Sequence, residues 1–229
     1  MNETTLPSIS LFDHGYVREV EHWGSDERII EAARMSTNKG FQGWDTDAKL
    51  LAYLYKNKHM TPFEMAGMVV EVQAPIFVFR EWHRHRTQSY NELSARYTEL
   101  PDLFYLPGFD RVQRQSTKNK QGSTEEEPFS TMEKIRVRSA MEGVYRHARE
   151  VYEQLIAEGV AREIARLVIP VAQYSRMRAS ANLRNWLQFL ALRMPENAQW
   201  EIRQCAEAVA KLIADQFPRT YGLFAEDKE

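Results

Sequence analysis

The run MAGMVVEVQ, residues 65–73, ends at Ala74-Pro75 and gives way at once to IFVFREWHRH, residues 76–85. The first is short and β-branched and reads as a strand. The second is an apolar helical segment, with Pro75 well placed as its first residue. A strand that becomes a helix across one proline excludes both an all-helical and an all-β chain.

The flanking segments are mostly helical. Ser25 is an N-cap for DERIIEAARMS, with acids in its first turn. Thr46 is expected to cap DAKLLAYLYKN, and that helix breaks at HMTPFEM, where Pro62 disfavours helix at Thr61. Ser130 and Glu133 form a capping box for a long helix. Its apolar stripe runs through Met141, Val144, Tyr145, Ala148, Val151, Tyr152, Leu155 and Ile156 to Gly159. REIARLVIP is a short helix stopped at Pro170, and VAQYSRMRAS reads as extended. NLRNWLQFLALRM and AQWEIRQCAEAVAKLIADQF are two further helices. Residues 108–128 are polar and nearly free of core residues, which predicts a mobile surface loop. With no repeat and no boundary in sight, residues 1–229 are expected to form one α+β domain, helices packed around a modest antiparallel or mixed sheet.

Composition narrows the function. Apolar residues at 43% and charged residues at 27% are those of an ordinary globular protein. A net charge of -2 and a pI near 6.3 argue against a nucleic-acid partner. No 18-residue apolar window and no signal pattern occur, so no membrane association is expected. One cysteine, Cys205, fits a reducing cytoplasm. It lies in the amphipathic EIRQCAEAV with no activating pocket evident, and reads as core. The chain lacks G-x-G-x-x-G, the P-loop and G-x-S-x-G. His83-x-His85 has no third ligand beside it, so no metal site is expected.

The densest chemistry is RHRTQSYNELSARY, residues 84–97. Arg84, His85 and Arg86 either complete a helix C-terminus or bind phosphate. If the chain beyond is extended, Ser94 and Arg96 face one way as a second donor set. Glu92 accepts from a ribose hydroxyl or orients an arginine. The residues suggest a nucleotide site and name no reaction.

This stretch resembles the signature of the flavin-dependent thymidylate synthases, R-H-R-x-x-S-x-N-E-x-S-x-R-Y, at every fixed position. AARMS, HMTPFE, APIFVFREW, REIARLVIP and ALRMPENAQWEI are similar to further landmarks of that family, leaving only residues 108–128 and the termini particular to this chain. The resemblance implies methylation of dUMP to dTMP, with methylenetetrahydrofolate as carbon donor and NADPH-reduced FAD as hydride donor. It implies a homotetramer with active sites shared between subunits, and no enzyme nucleophile. By the same resemblance, FAD contacts are Thr61, Arg84, His85, Arg86, Glu92, Asn182, Leu183, Arg184 and Gln188, with His59 near the outer cofactor site. The dUMP contacts it implies are Glu81, Arg84, Glu92, Leu93, Ser94, Ala95, Arg96, Arg166 and Arg193, with Arg193 activating the pyrimidine. Glu81 stands where the family often has glutamine, and a carboxylate repels a phosphate unless an arginine intervenes. Gln188 stands in place of asparagine and keeps the amide. Asn182 and Arg193, eleven residues apart, are expected on one helix face, with Arg184 pointing elsewhere.

Overall fold

In a computed structural model, which describes residues 7–124 and 126–227, the fold is built on a five-stranded sheet. Strands β1 (Ser8–Leu11), β2 (Gly15–Trp23), β3 (Gly67–Pro75), β4 (Ser89–Glu92) and β7 (Tyr174–Asn182) lie in the order β1-β2-β3-β7-β4, every pairing antiparallel. Helices α1 (Asp26–Arg34), α2 (Trp44–Lys56) and α3 (Ile76–Trp82) come from the first half of the chain. Helices α4 (Thr131–Ala157), α5 (Arg162–Ala165), α6 (Leu183–Arg193), α7 (Trp200–Gln216) and α8 (Pro218–Glu226) come from the second. The α+β architecture expected from the sequence is the one observed.

The core lies between one sheet face and the helices α3, α6 and α7. Met68, Val70, Val72 and Ala74 of β3 and Met177, Ala179 and Ala181 of β7 alternate onto that face, and all are buried. Trp82, Trp186 and Phe189 pack against them, with Trp82 stacked on Phe189 at 4.6 Å between ring centroids. The opposite face is polar. Glu71, 5% exposed, accepts from the Tyr16 hydroxyl at 2.8 Å and from Arg18 at 2.7 Å. Burial opposes its charge, but the Tyr16 bond and the neighbouring arginines outweigh that and hold its pKa below the usual carboxylate value.

The caps at Ser25 and Ser130 form as expected, the latter with both halves of the capping box. Four local expectations are corrected. Pro75 does not stop the strand: its φ of -62° and ψ of 147° suit extended chain, so it pairs with Tyr174 and then caps α3. Thr46 does not cap α2, because Gly43 at φ +95° opens the helix earlier and leaves Thr46 inside it. Helix α3 ends at Trp82 rather than at His85. Residues 108–128 include a short hairpin, β5 (Arg114–Gln115) with β6 (Ser123–Thr124), and bury Val112.

Gly67 opens β3 where the Trp23 ring and the Ala181 carbonyl close over it. A Cβ there would stand 2.5 Å from that carbonyl oxygen and 2.2 Å from the ring. Gly67→Ala is therefore expected to destabilise the protein by about 1–3 kcal/mol through overpacking. Urea denaturation measures this, and an unchanged midpoint would contradict the packing described.

Candidate active site

The RHR segment is a tight turn pinned from below. The His85 N–H donates to the Trp82 carbonyl at 3.0 Å and the Gln88 N–H to the His85 carbonyl at 3.2 Å. Trp82 Nε1 donates to Gln88 Oε1 at 2.9 Å, and the Tyr90 hydroxyl donates to the His85 carbonyl at 2.7 Å. These bonds turn His85 inward, 8% exposed and edge-on to Phe189, while Arg84 and Arg86 stay exposed.

His85 meets Arg193, the last residue of α6. Arg193 Nε donates to His85 Nε2 at 2.9 Å, one terminal nitrogen donates to Glu81 Oε2 at 2.7 Å, and the other to the Glu81 carbonyl at 2.9 Å. An imidazole nitrogen that accepts is unprotonated, so His85 is neutral with its proton on Nδ1. Burial first, and then the Arg193 charge, push its pKa down to about 4, against a smaller opposing pull from Glu81.

Ten of the expected ligand residues line three clefts. Asn182, Arg184 and Gln188 line a cavity of about 1190 Å³, joined by Thr87, Lys58 and the terminal helix residue Phe224. Glu92, Leu93, Ser94, Ala95 and Arg166 line a smaller cleft of about 300 Å³, beside Ser175. Glu81 and Arg193 open onto a polar cleft of about 880 Å³ roofed by the hairpin residues Gln115, Gly122 and Ser123. Thr61 and His59 are exposed at the start of the HMTPFE turn, and His59 packs against Tyr53. Leu183 has its side chain in the core and its N–H on the Ala66 carbonyl.

Three expectations about orientation fail. Residues 94–98 are not extended: β4 ends at Glu92, and the Ser94 carbonyl accepts from the Tyr97 and Thr98 N–H groups in a turn. Arg96 therefore leaves the Ser94 face and lies 3.5 Å from Glu163. Asn182 and Arg193 do not share a face, because Asn182 is the N-cap of α6, its side chain accepting from the Asn185 N–H at 3.0 Å. Arg184 lines the same cavity as Asn182, its reach directed by an ion pair with Glu64. Lys58, Thr87 and Phe224 carry no pattern that marks them as cleft residues. Tertiary contact alone brings them there.

Cys205 is fully buried, and burial pushes its thiol pKa well up, so it is no nucleophile. Among the described residues no three His, Cys, Asp or Glu side chains are grouped to hold a metal. No described helix is long and apolar enough to cross a membrane.

The fold is shared with solved structures of the UMP/dUMP methylase PolB from Streptomyces cacaoi. The complex with 5-Br UMP has a TM-score of 0.84 at 34% identity, covering 93% of this chain and 94% of that one. The complex with 5-Br dUMP has a TM-score of 0.85 at 35% identity, covering 95% and 97%. The sequence model of the family described as thymidylate synthase complementing protein matches residues 19–219. The chain is 39% identical over 223 residues to the flavin-dependent thymidylate synthase of Thermus thermophilus, covering 96% of this chain and 78% of the relative. It is 42% identical over 219 residues to that of Wolbachia pipientis, covering 94% and 75%. The chain belongs to the flavin-dependent thymidylate synthase family.

Because protonation of His85 would put its proton against the Arg193 guanidinium, His85 is expected to stay neutral to well below pH 6. Its folded pKa lies below the unfolded value of about 6.5. The stability it contributes is thus complete above pH 6.5 and lost as the pH falls toward 4, roughly 3 kcal/mol at most. Histidine-selective NMR should show the Nδ1–H tautomer at pH 6 and titration near pH 4. An ordinary titration near 6.5 would remove the Arg193–His85 bond from the account.

Proposed function

We infer that the protein methylates dUMP to dTMP, taking the carbon from methylenetetrahydrofolate, with FAD as cofactor and NADPH as reductant. The observation that carries this reading is the Arg193 guanidinium, anchored on three acceptors at the edge of a polar cleft.

The residues of the large cavity fit the flavin by their chemistry. Arg184, with the exposed Arg84 and Arg86 of the adjoining turn, suits a pyrophosphate, and the Asn182 and Gln188 amides suit the polar edge of an aromatic heterocycle. A volume of about 1190 Å³ exceeds that of an ordinary small-ligand pocket. Bound there, FAD supplies the hydride. The smaller cleft, with Ser94, Arg166 and Glu92, suits a nucleotide's phosphate and sugar hydroxyls.

Arg193 acts on the pyrimidine. For the ring to attack the incoming carbon it must gain enolate-like density, which loss of the N3 proton to solvent water provides. Arginine is too weak an acid to serve as that base in its neutral form. Three of its five N–H groups are used, so two remain, by subtraction, for the developing N3/O2 anion. A preorganised donor of this kind stabilises the reacting state more than the ground state. The inert thiol of Cys205 supports a route without an enzyme nucleophile.

The three clefts divide the ligand set within one chain, and this supports a site completed by other copies. The surface of α4 supports the same reading. Only Ala148 and Tyr152 of its 27 residues are buried, while Val144 is 60% exposed and the neighbouring Leu167 73%. Val144, Val151 and Val168 lie together along this surface, and contiguous exposed apolar patches mark interaction sites. We therefore read the working form as a homotetramer of single-domain chains with shared active sites.

Arg193→Ala is expected to bind FAD and to be reduced by NADPH, yet to lose about 100-fold or more in dTMP formation at saturating dUMP. Arg193→Lys, which keeps the charge without the planar fork, falls between it and the unaltered protein. Single-turnover assays with prereduced flavin isolate this step. Near-normal dTMP formation by Arg193→Ala would show that another group activates the ring, and a protein with no affinity for FAD would overturn the whole reading.

A further inference from the structure

The anchor of Arg193 has two parts. Its Nε and one terminal nitrogen lie on the His85 ring and on the Glu81 main-chain carbonyl, at 2.9 Å each. The carbonyl belongs to the C-terminal turn of α3, where a cation is favoured, and it also accepts from the Arg84 N–H at 3.4 Å. This part of the anchor survives any substitution at position 81. The remaining terminal nitrogen lies on the Glu81 carboxylate at 2.7 Å. That contact alone depends on the side chain.

We propose that Glu81 is a positioning residue for the reaction, acting through Arg193 by fixing the third nitrogen of its guanidinium and matching its charge. The inference rests on the reading of Arg193 as the group that faces the pyrimidine. Three features favour action through Arg193 over direct contact with the nucleotide. The carboxylate is already engaged by the arginine at hydrogen-bond distance. A second anion brought against the nucleotide phosphate would repel it. And the side chain of Arg193 is only 17% exposed, so a buried guanidinium gains more from a compensating carboxylate than an exposed one would.

The geometry also says what Glu81 prevents. The same polar cleft holds the carboxylates of Asp110 and Glu196. A guanidinium tied only by His85 and one carbonyl has a terminal nitrogen available to these acids or to a nucleotide phosphate. Engagement there turns the fork away from the heterocycle. Glu81 keeps that nitrogen on a fixed acceptor, so the two unused N–H groups keep one direction. Orientation by an acceptor, rather than charge alone, is the central element of the proposal. An amide oxygen at position 81 therefore serves nearly as well as a carboxylate.

A double-mutant cycle on the FAD-loaded enzyme tests this, with dTMP formation from prereduced flavin read in single turnovers. Glu81→Ala is expected to lose about 10-fold in the rate at saturating dUMP, with FAD affinity and dUMP affinity little changed. Glu81→Gln is expected to stay within about 3-fold of the unaltered enzyme, and it serves as the reference if Glu81→Ala folds poorly. In the Arg193→Ala background, Glu81→Ala is expected to cost nothing further. If Glu81→Ala costs the same factor with and without Arg193, or weakens dUMP binding in place of the rate, Glu81 acts on the nucleotide itself and the proposal falls. If Glu81→Gln is as impaired as Glu81→Ala, orientation by an acceptor is not what position 81 supplies, and the proposal falls likewise. If Arg193→Ala alone is near normal, it is the reading of Arg193 that fails, a result distinct from either of these.

Discussion

The structure depends on the antiparallel ladder between β3 and β7. Nine residue pairs, from Gly67 with Asn182 to Pro75 with Tyr174, join two segments that lie far apart in the chain. One end of the ladder sets the HMTPFE turn beside the start of α6, where the Leu183 N–H donates to the Ala66 carbonyl at 2.8 Å. The other end launches α3, whose first N–H groups donate to the carbonyls of Gln173 and Val171. Helices α3 and α6 thus leave the same pair of strands from opposite ends and run across one sheet face. Their C-terminal turns meet through Glu81 and Arg193. Slipping the register by one residue would turn Met68, Val70 and Val72 out of the core and separate that pair.

Packing then converts this placement into chemistry. Trp82, stacked on Phe189, locks the ends of the two helices together, a contact worth about 0.5–1.5 kcal/mol beyond its buried area. His85 sits edge-on to the same Phe189 and is kept neutral there. Neutrality lets it accept from Arg193, where a protonated ring would repel it. The inert Cys205 lies in the same core with no exposed surface. On the proposed function, guanidinium and amide groups carry the chemistry at an anionic nucleotide.

Much of this is legible in the sequence, and the failures have physical causes. The amphipathic helices are readable because burial imposes a period on them, and the strand at β3 because it is short, β-branched and buried almost throughout. Strands β1 and β2 are not, since the half-exposed GYVREVEHW pairs with distant residues and carries a weak apolar pattern. The residue types of RHRTQSYNELSARY suggest nucleotide binding. Its geometry is not readable from them: the turn at Ser94 and the diversion of Arg96 to Glu163 are set by tertiary contact. A helical wheel puts Asn182 and Arg193 on one face, but a capping residue has no place on the wheel. The pairing of Glu81 with Arg193 spans 112 positions, and nothing local announces it.

We propose that one active site draws on more than one copy of the chain, with the Ser94 cleft and the Arg193 cleft supplied by different subunits. Mixing two inactive proteins tests this most directly. Arg166→Ala removes a guanidinium from the first cleft and Arg193→Ala removes the one at the second. Each variant alone is expected to bind FAD and to make almost no dTMP. Unfolded together and refolded as mixed tetramers, they should recover turnover, because some sites then receive both intact arginines. Mixed tetramers with no more activity than the sum of the two parents would place both arginines in one subunit's site and contradict the claim.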